Sequence, residues 1–262
     1  MSDNSTEFDG VRIQRRADVL HVTLANPANR NAQSPATWRR LASVENFVTP
    51  EVRVVVLTGE GVSFCAGLDT RMLSAEGIEG EQSLLTLARS ESAKIDEFIT
   101  IFQSAFTWWS DTPAITIAAV QGHAIGAGFQ LALACDLIVA AEDALFAMRE
   151  TSLGLVPDLT GTSRLVNRVG YSKALEICAS GRFVDAGEAV RIGLAHTKAP
   201  LAELAQHTDT LVASLITAPA GAVRELKSLL RAAEVNAPAD QHRAERIAQA
   251  KRLVDLRSAM EG

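Results

Sequence analysis

The chain has 262 residues, 47% of them hydrophobic and 21% charged, with a formal net charge of −6. That balance is the composition of a folded chain with ample core, not of a disordered one. The acidic charge, with no basic stripe, argues against nucleic acid as the main partner, and no apolar run reaches the ~20 residues that a membrane helix needs.

At this length the chain forms one large domain, or one domain with a smaller appendage. The start, M-S-D-N-S-T-E-F-D, is polar and acidic, unlike a secretory leader. Cys65, Cys135 and Cys178 lie far apart, with neither zinc spacing nor a disulfide framework. A reducing compartment follows from that usage, and the cytoplasm is the expected location.

Residues 11–16 and 19–24 alternate apolar and polar positions, with Ala17-Asp18 between them as a hairpin turn. Residues 26–31 read as loop. Ser34 is placed to cap a helix whose first position is Pro35, and the helix is expected to run to about Val48. A short apolar strand at 53–58 leads into a glycine-rich turn, G-E-G-V-S-F-C-A-G-L-D. Residues 72–89 lack a clear period and read as surface, either an ordinary loop or a lid. Residues 91–109 carry Ile95, Phe98, Ile99, Phe102 and Phe106 on one side of an expected long helix.

The next stretch organises the rest. An apolar strand at 114–120 gives way to Gly122, Gly126, Ala127 and Gly128, then to a buried helix at 129–135 and a strand at 137–141. Glycines allow positive φ and close backbone approach. The first turn of a helix leaves N–H groups without intrahelical partners, a ready site for an oxygen gaining negative charge. Neither G-x-x-x-x-G-K-[ST] nor G-x-G-x-x-G after a strand is present, so no phosphate-loop motif claims the turn. A short strand at 144–147 precedes a loop at 149–162. Helical pieces follow from Ser163, with an extended scrap at 194–196. The tail, 202–260, reads as two or three helices separated near Pro219 and Pro238.

Strand–helix alternation from 52 to 147 points to parallel βαβ units. The two glycine turns then fall on one edge of the sheet, where backbone amides from both can converge on a single oxygen. The acidic side chains nearby in sequence are Asp69, Asp136, Glu150 and Asp158. Asp69 and Asp136 stand at element ends, where capping or a structural ion pair outweighs catalysis. Glu150 and Asp158 lie in the Gly/Pro-punctuated loop. Cys65 has no evident base partner and reads as small filler.

Residues 53–69, R-V-V-V-L-T-G-E-G-V-S-F-C-A-G-L-D, resemble the first signature of the crotonase (enoyl-CoA hydratase/isomerase) superfamily. Residues 113–136, P-A-I-T-I-A-A-V-Q-G-H-A-I-G-A-G-F-Q-L-A-L-A-C-D, resemble its second. Further matches are L-G-L-V-P-D-L-T-G-T-S-R-L from Leu153 and G-R-F-V-D-A-G-E-A-V-R-I-G-L-A from Gly181, so the resemblance spans nearly the whole chain after Val11. It implies an α/β crotonase-like spiral of ββα units, with a core over 1–200 and a C-terminal helical region over 201–262. That region would serve oligomerisation, as homotrimer or homohexamer, and cover the active site.

The same resemblance implies an acyl-CoA substrate, with coenzyme A part of the substrate and neither cofactor nor metal. The amides of Leu68 and Ala127 would form the oxyanion hole; the departure from G-G-G to G-A-G is mild, because the donor is backbone. Ala66 would meet the CoA adenine, and Arg30 and Arg71 the CoA phosphates. The family's hydratases carry two glutamates. The chain has Gln130 at the first position, unable to remove a proton, and keeps Glu150 at the second. Asp158 stands where some isomerases of the family carry an acid. Double-bond isomerisation of an enoyl-CoA is therefore the favoured expectation. Hydration of a 2-enoyl-CoA, or a catalytically weakened acyl-CoA-binding protein, is the alternative. A serine hydrolase is disfavoured, because G-x-S-x-G is absent.

Overall fold

Alternation along β-strands decides the architecture. In the computed structural model, which describes Ser5–Glu261, the strand Val54–Gly59 sends Val55 and Leu57 into one apolar cluster and Val54 and Val56 into another. A strand that is apolar on both faces must be covered on both. Each strand around it meets the same demand.

The chain opens with β1 (Ser5–Phe8), β2 (Val11–Arg16) and β3 (Val19–Leu24), paired antiparallel in order. Asp9-Gly10 and Ala17-Asp18 are the two hairpin turns, with Asp9, Gly10 and Ala17 at positive φ. Strand β1 was not expected from the sequence; its four residues are too few to show a period. Helix α1 (Pro35–Ser43) starts as predicted, with Ser34 Oγ accepting from the Thr37 amide and Pro35 in the first turn. It stops at Ser43, and Val44–Phe47 tightens into a 3-10 turn in place of the last predicted helical turn.

Strand β4 (Val54–Gly59) runs parallel to β3. After it come a 3-10 turn at Thr70–Leu73 and helix α2 (Leu84–Leu87), so the predicted structureless stretch holds one turn of each kind. Helix α3 (Ser92–Asp111) buries Phe102, Ala105, Phe106, Trp108 and Trp109. Of the predicted apolar side, Ile95, Phe98 and Ile99 stay only half-buried; α3 meets the core with its second half.

Strand β5 (Ile115–Val120) is parallel to β4. The glycine stretch then forms β6 (His123–Ile125) and α4 (Ala127–Ala134), followed by β7 (Leu137–Ala141) and β8 (Leu145–Ala147). The sequence showed only a turn where β6 lies, because two flanking glycines hide a three-residue strand. Next come α5 (Gly161–Val169), α6 (Tyr171–Ser180), β9 (Val184–Asp185), α7 (Ala186–Arg191) and β10 (Thr197–Ala199). Strand β10 lies three residues beyond the predicted scrap, since Leu194 and Ala195 are spent in the core instead. Helices α8 (Leu204–Leu215), α9 (Ala220–Ala232) and α10 (Pro238–Glu261) complete the chain, divided near Pro219 and Pro238 as expected.

The main sheet has the order β1-β2-β3-β4-β5-β7-β10, and a smaller one the order β6-β8-β9. From β3 to β10 every neighbour is parallel, which bears out the βαβ reading. One face of the main sheet packs on α3, α4 and their neighbours. The other carries Val54, Val56, Ile117, Ala119, Val139 and Ala141 and is covered by Leu204 and Val212 of α8. Ends of β4 and β5 therefore open side by side, and their glycine turns meet.

Candidate active site

The two turns are stitched directly. The Cys65 amide donates to His123 O at 2.9 Å and the Ile125 amide to Cys65 O at 3.0 Å. A Cβ on Gly128 would stand 2.5 Å from Cys65 O, and one on Gly67 only 2.6 Å from Ile125 O. Both positions therefore need glycine for the turns to touch. The first turn is also pinned from behind by Asn31, whose Nδ2 donates to the carbonyls of Glu60, Ser63 and Phe64.

Leu68 faces Gln33 in a parallel bridge: the Gln33 amide donates to Gly67 O at 2.7 Å and the Asp69 amide to Gln33 O at 2.8 Å. In extended chain, successive amides point to opposite sides, so the Leu68 N–H points away from Gln33. Ala127 is the first residue of α4, and its N–H has no intrahelical acceptor. A Cβ built on Gly67 would lie 3.8 Å from the Ala127 nitrogen. The two predicted amides thus stand in adjoining turns.

Gln130 sits one helical turn on, fully buried. Its Nε2 donates to Glu150 Oε1 at 2.8 Å, and its Oε1 accepts from the amides of Leu159 at 2.9 Å and Gly161 at 3.2 Å. Glu150 opens a 3-10 turn at Glu150–Leu153. It packs against Gly126, where a Cβ would meet Glu150 Oε1 at 3.3 Å. Glu150 Oε2 is buried and has no hydrogen-bond partner among the described residues. Burial raises the Glu150 carboxyl above the usual range, and the negative charge of Asp158 adds to that; the hydrogen bond from Gln130 works the other way.

Asp158 is exposed by surface area. Even so, the atoms crowded around its carboxyl desolvate it and push its pKa up.

Other predicted residues fall differently. Asp69 caps the 3-10 turn at Thr70–Leu73 and pairs with Arg71 at 2.7 Å, while accepting from Asn29. Arg71 is thus held by a carboxylate, its side chain open to solvent. Arg30 is exposed, at φ 48°, and its carbonyl takes the Ala66 amide at 2.9 Å. Asp136 accepts from the Thr116 amide and from Lys227 Nζ, both at 2.7 Å, a structural tie. Cys65 is fully buried and its thiol is pushed up to about 12 by desolvation. That is filler, not nucleophile.

Sequence reasoning missed Gln33, Asn31, and the turn Leu159-Thr160-Gly161. None forms a motif with a fixed chemical meaning. The only written signal was Gly161 three residues past an acid. Among the described residues no group of His, Cys, Asp and Glu is arranged to hold a metal ion, and no helix is long and apolar enough to cross a membrane. A cavity of about 610 Å3 lies between α5, α9 and the sheet end. It is lined by Arg164, Arg168 and Lys227 and shares only Thr160 with the site just described.

The sequence model described as Enoyl-CoA hydratase/isomerase matches residues 14–258. The chain belongs to the enoyl-CoA hydratase/isomerase family. A Rhodobacter capsulatus protein named as an enoyl-CoA hydratase is 33% identical over 225 residues, 86% of this chain and 82% of that one. A carnitinyl-CoA dehydratase of Salmonella typhi is 32% identical over 226 residues, covering 86% and 81%. Among solved structures, a Thermobifida fusca YX protein named as an enoyl-CoA hydratase superposes with a TM-score of 0.90 at 43% identity, over 95% of each chain. The same protein in complex with acetoacetyl-CoA matches equally, over 94% of this chain and 95% of that one. These likenesses bear out the crotonase fold and CoA-thioester chemistry of the family; the roles of individual side chains rest on the geometry above.

Proposed function

We propose that the protein isomerises the double bond of an enoyl-CoA thioester by moving a proton along the acyl chain. The thioester oxygen would accept from the amides of Leu68 and Ala127. Ala66, Arg30 and Arg71 would contact the CoA moiety, with Arg71 sharing itself between Asp69 and a phosphate. The T. fusca relative crystallised with acetoacetyl-CoA supports that class of ligand.

The carrying observation is the pairing at Glu150. One oxygen is engaged by Gln130 and the other is buried and unpartnered, on a carboxyl whose pKa is raised. A carboxylate in that state is suited to take a C–H proton at neutral pH and to give it back. With a 3-enoyl-CoA, Glu150 removes a proton from C2. The C–H electron pair forms a C1–C2 double bond as the carbonyl π pair moves onto the thioester oxygen; when the carbonyl re-forms, the C1–C2 pair becomes the C2–C3 double bond and the C3–C4 π pair takes up a proton at C4. The thioester oxygen carries the intermediate's charge. A proton delivered to C4 by Glu150 or Asp158 completes the 2-enoyl product. Gln130 positions Glu150 and adds no base.

A second reading is hydration of a 2-enoyl-CoA, favoured by the names of the curated relatives. In that reading Asp158 activates the water. A catalytically weakened acyl-CoA binder is the remaining alternative. The proposal includes a cytoplasmic homotrimer or pair of trimers that needs no cofactor beyond the CoA of its substrate. The exposed Leu226, Leu230, Leu253 and Leu256 of α9 and α10 support assembly.

The test is to incubate the purified protein with 3-enoyl-CoA and, separately, 2-enoyl-CoA, and to resolve the products by mass spectrometry. Interconversion of the isomers without a gain of mass is expected. A product one water heavier as the main species would select hydration. Tight CoA-ester binding without any product would select the binder.

A further inference from the structure

We propose that the cavity between α5, α9 and the sheet end is a second ligand site, which takes an apolar monocarboxylate with its charged end turned inward against Arg164 and Arg168. It is separate from the acyl-CoA site and stands whichever reaction that site performs.

The charges of the walls point to an anion. Four cations line the cavity, Arg164, Arg168, Lys227 and Arg231, against two carboxylates, Asp136 and Glu234. Two of the cations have a carboxylate of their own. Lys227 Nζ meets Asp136 Oδ2 at 2.7 Å, and Arg231 Nη2 meets Asp111 Oδ1 at 3.3 Å. Glu234 accepts from Asn167. The other two guanidiniums hold only neutral oxygens. Arg164 donates to Ser110 Oγ at 2.6 Å and to Ala134 O at 3.5 Å. Arg168 Nη2 donates to the backbone carbonyls of Cys135 and Asp136. Burial lowers the proton affinity of both arginines, ahead of any other cause. A half-buried cation without a counter-charge attracts an anion more strongly than an exposed one, because less water screens the pair.

Donors remain for such an anion. Nε of Arg164, and Nε and Nη1 of Arg168, make no hydrogen bond to the described residues. None of the three is sealed from solvent, and both side chains line the cavity.

The remaining walls are largely apolar and graded in depth. Leu133 and Cys135 are fully buried, whereas Leu226 and Leu230 of α9 are 53% and 62% exposed and stand at the mouth. The space of about 610 Å3 is that of a small-molecule pocket. A carboxylate beside the arginines with a hydrocarbon body along the leucines satisfies both kinds of wall. A bare inorganic anion would leave the apolar wall wet, and a neutral hydrocarbon would leave the arginines without a counter-charge.

The test is isothermal titration calorimetry on the whole protein, with octanoate as the probe. One octanoate per chain is expected to bind, and to bind equally in the presence of saturating acetoacetyl-CoA. Acetate has the charge without the chain and octanol the chain without the charge; each should bind at least about tenfold more weakly. Two variants locate the site. Arg168→Gln removes one of the unpaired cations. Ser163→Asp sets a negative charge in the cavity wall, at an exposed position in the first turn of α5 where an aspartate suits the helix, so its folding is secure. Each should weaken octanoate binding by at least about tenfold. Displacement of octanoate by acetoacetyl-CoA would assign the binding to the acyl-CoA site and overturn the proposal. So would octanol binding as tightly as octanoate, or wild-type affinity in a folded Ser163→Asp protein. Failure of the wild type to bind octanoate, as when a second copy of the chain closes the mouth over Leu226 and Leu230, would overturn it too.

Discussion

In the proposed mechanism Glu150 handles the proton, and its burial has a consequence for stability. Desolvation raises its carboxyl pKa in the folded protein. Below the ordinary carboxylate range both folded and unfolded chains hold the proton, and burial costs nothing through ionisation. As pH rises through that range the unfolded chain releases its proton first, so stability falls until the folded pKa has been passed. Glu150→Gln removes the loss. Its Tm is expected to match wild type in acid and to exceed it at neutral pH; parallel Tm profiles would contradict the assigned burial. The same substitution should abolish turnover, which separates stability from activity at one atom. For the oxyanion hole the test is Ala127→Pro, which deletes a backbone donor at the first position of α4. Turnover of any CoA ester should fall by at least ~100-fold. Unchanged turnover in a folded variant would remove this turn from the mechanism.

At the level of elements, the meeting of the two glycine turns holds the site's shape. Gly128→Ala would press a methyl to within 2.5 Å of Cys65 O, which is backbone and has no rotamer to yield. A loss of about 1–3 kcal/mol is expected from overpacking, together with weakened catalysis as the amides of Leu68 and Ala127 part. Gly80→Ala is the contrast: φ is +77° but nothing lies within 4 Å. It should cost about 1–2 kcal/mol and leave the rate alone. Denaturant midpoints and initial rates on both variants check this, and equal rate losses would contradict it. These turns were legible in the sequence because glycine spacing reports backbone demands directly. The short strands β1, β6 and β9 were not, since a period needs more residues than two, three or four. The roles of Leu159 and Gly161 were hidden for another reason. They act through amides, and an amide leaves no signature in side-chain identity. Gln130, by contrast, was visible as a departure from an acid, but its partners became known only through the fold.

Across the whole molecule, the C-terminal helices are tied to the sheet end by a few polar contacts. Lys227 of α9 reaches Ala114 O and Asp136 Oδ2, both at 2.7 Å. Arg53 reaches the carbonyls of Ile216 and Ala218. The Lys227–Asp136 pair is mostly shielded from water, and removing one partner strands the other. Lys227→Met is expected to destabilise the protein by about 2–4 kcal/mol, read from urea unfolding; an unchanged midpoint would show that α9 is held by its apolar contacts alone. Helix α8 covers the second face of the sheet that carries both glycine turns. The account's central claim is that Glu150 carries protons between two carbons of a CoA-bound enolate. Positional deuterium incorporation tests it most directly. Wild type, Glu150→Gln and Asp158→Asn are each incubated with 3-enoyl-CoA in heavy water, and deuterium is located at C2 and C4 by NMR. Wild type should label both carbons, Glu150→Gln neither, and Asp158→Asn should keep label at C2 whatever its loss at C4. A folded Glu150→Gln protein that binds the CoA ester and still labels both carbons at the wild-type rate would contradict the claim.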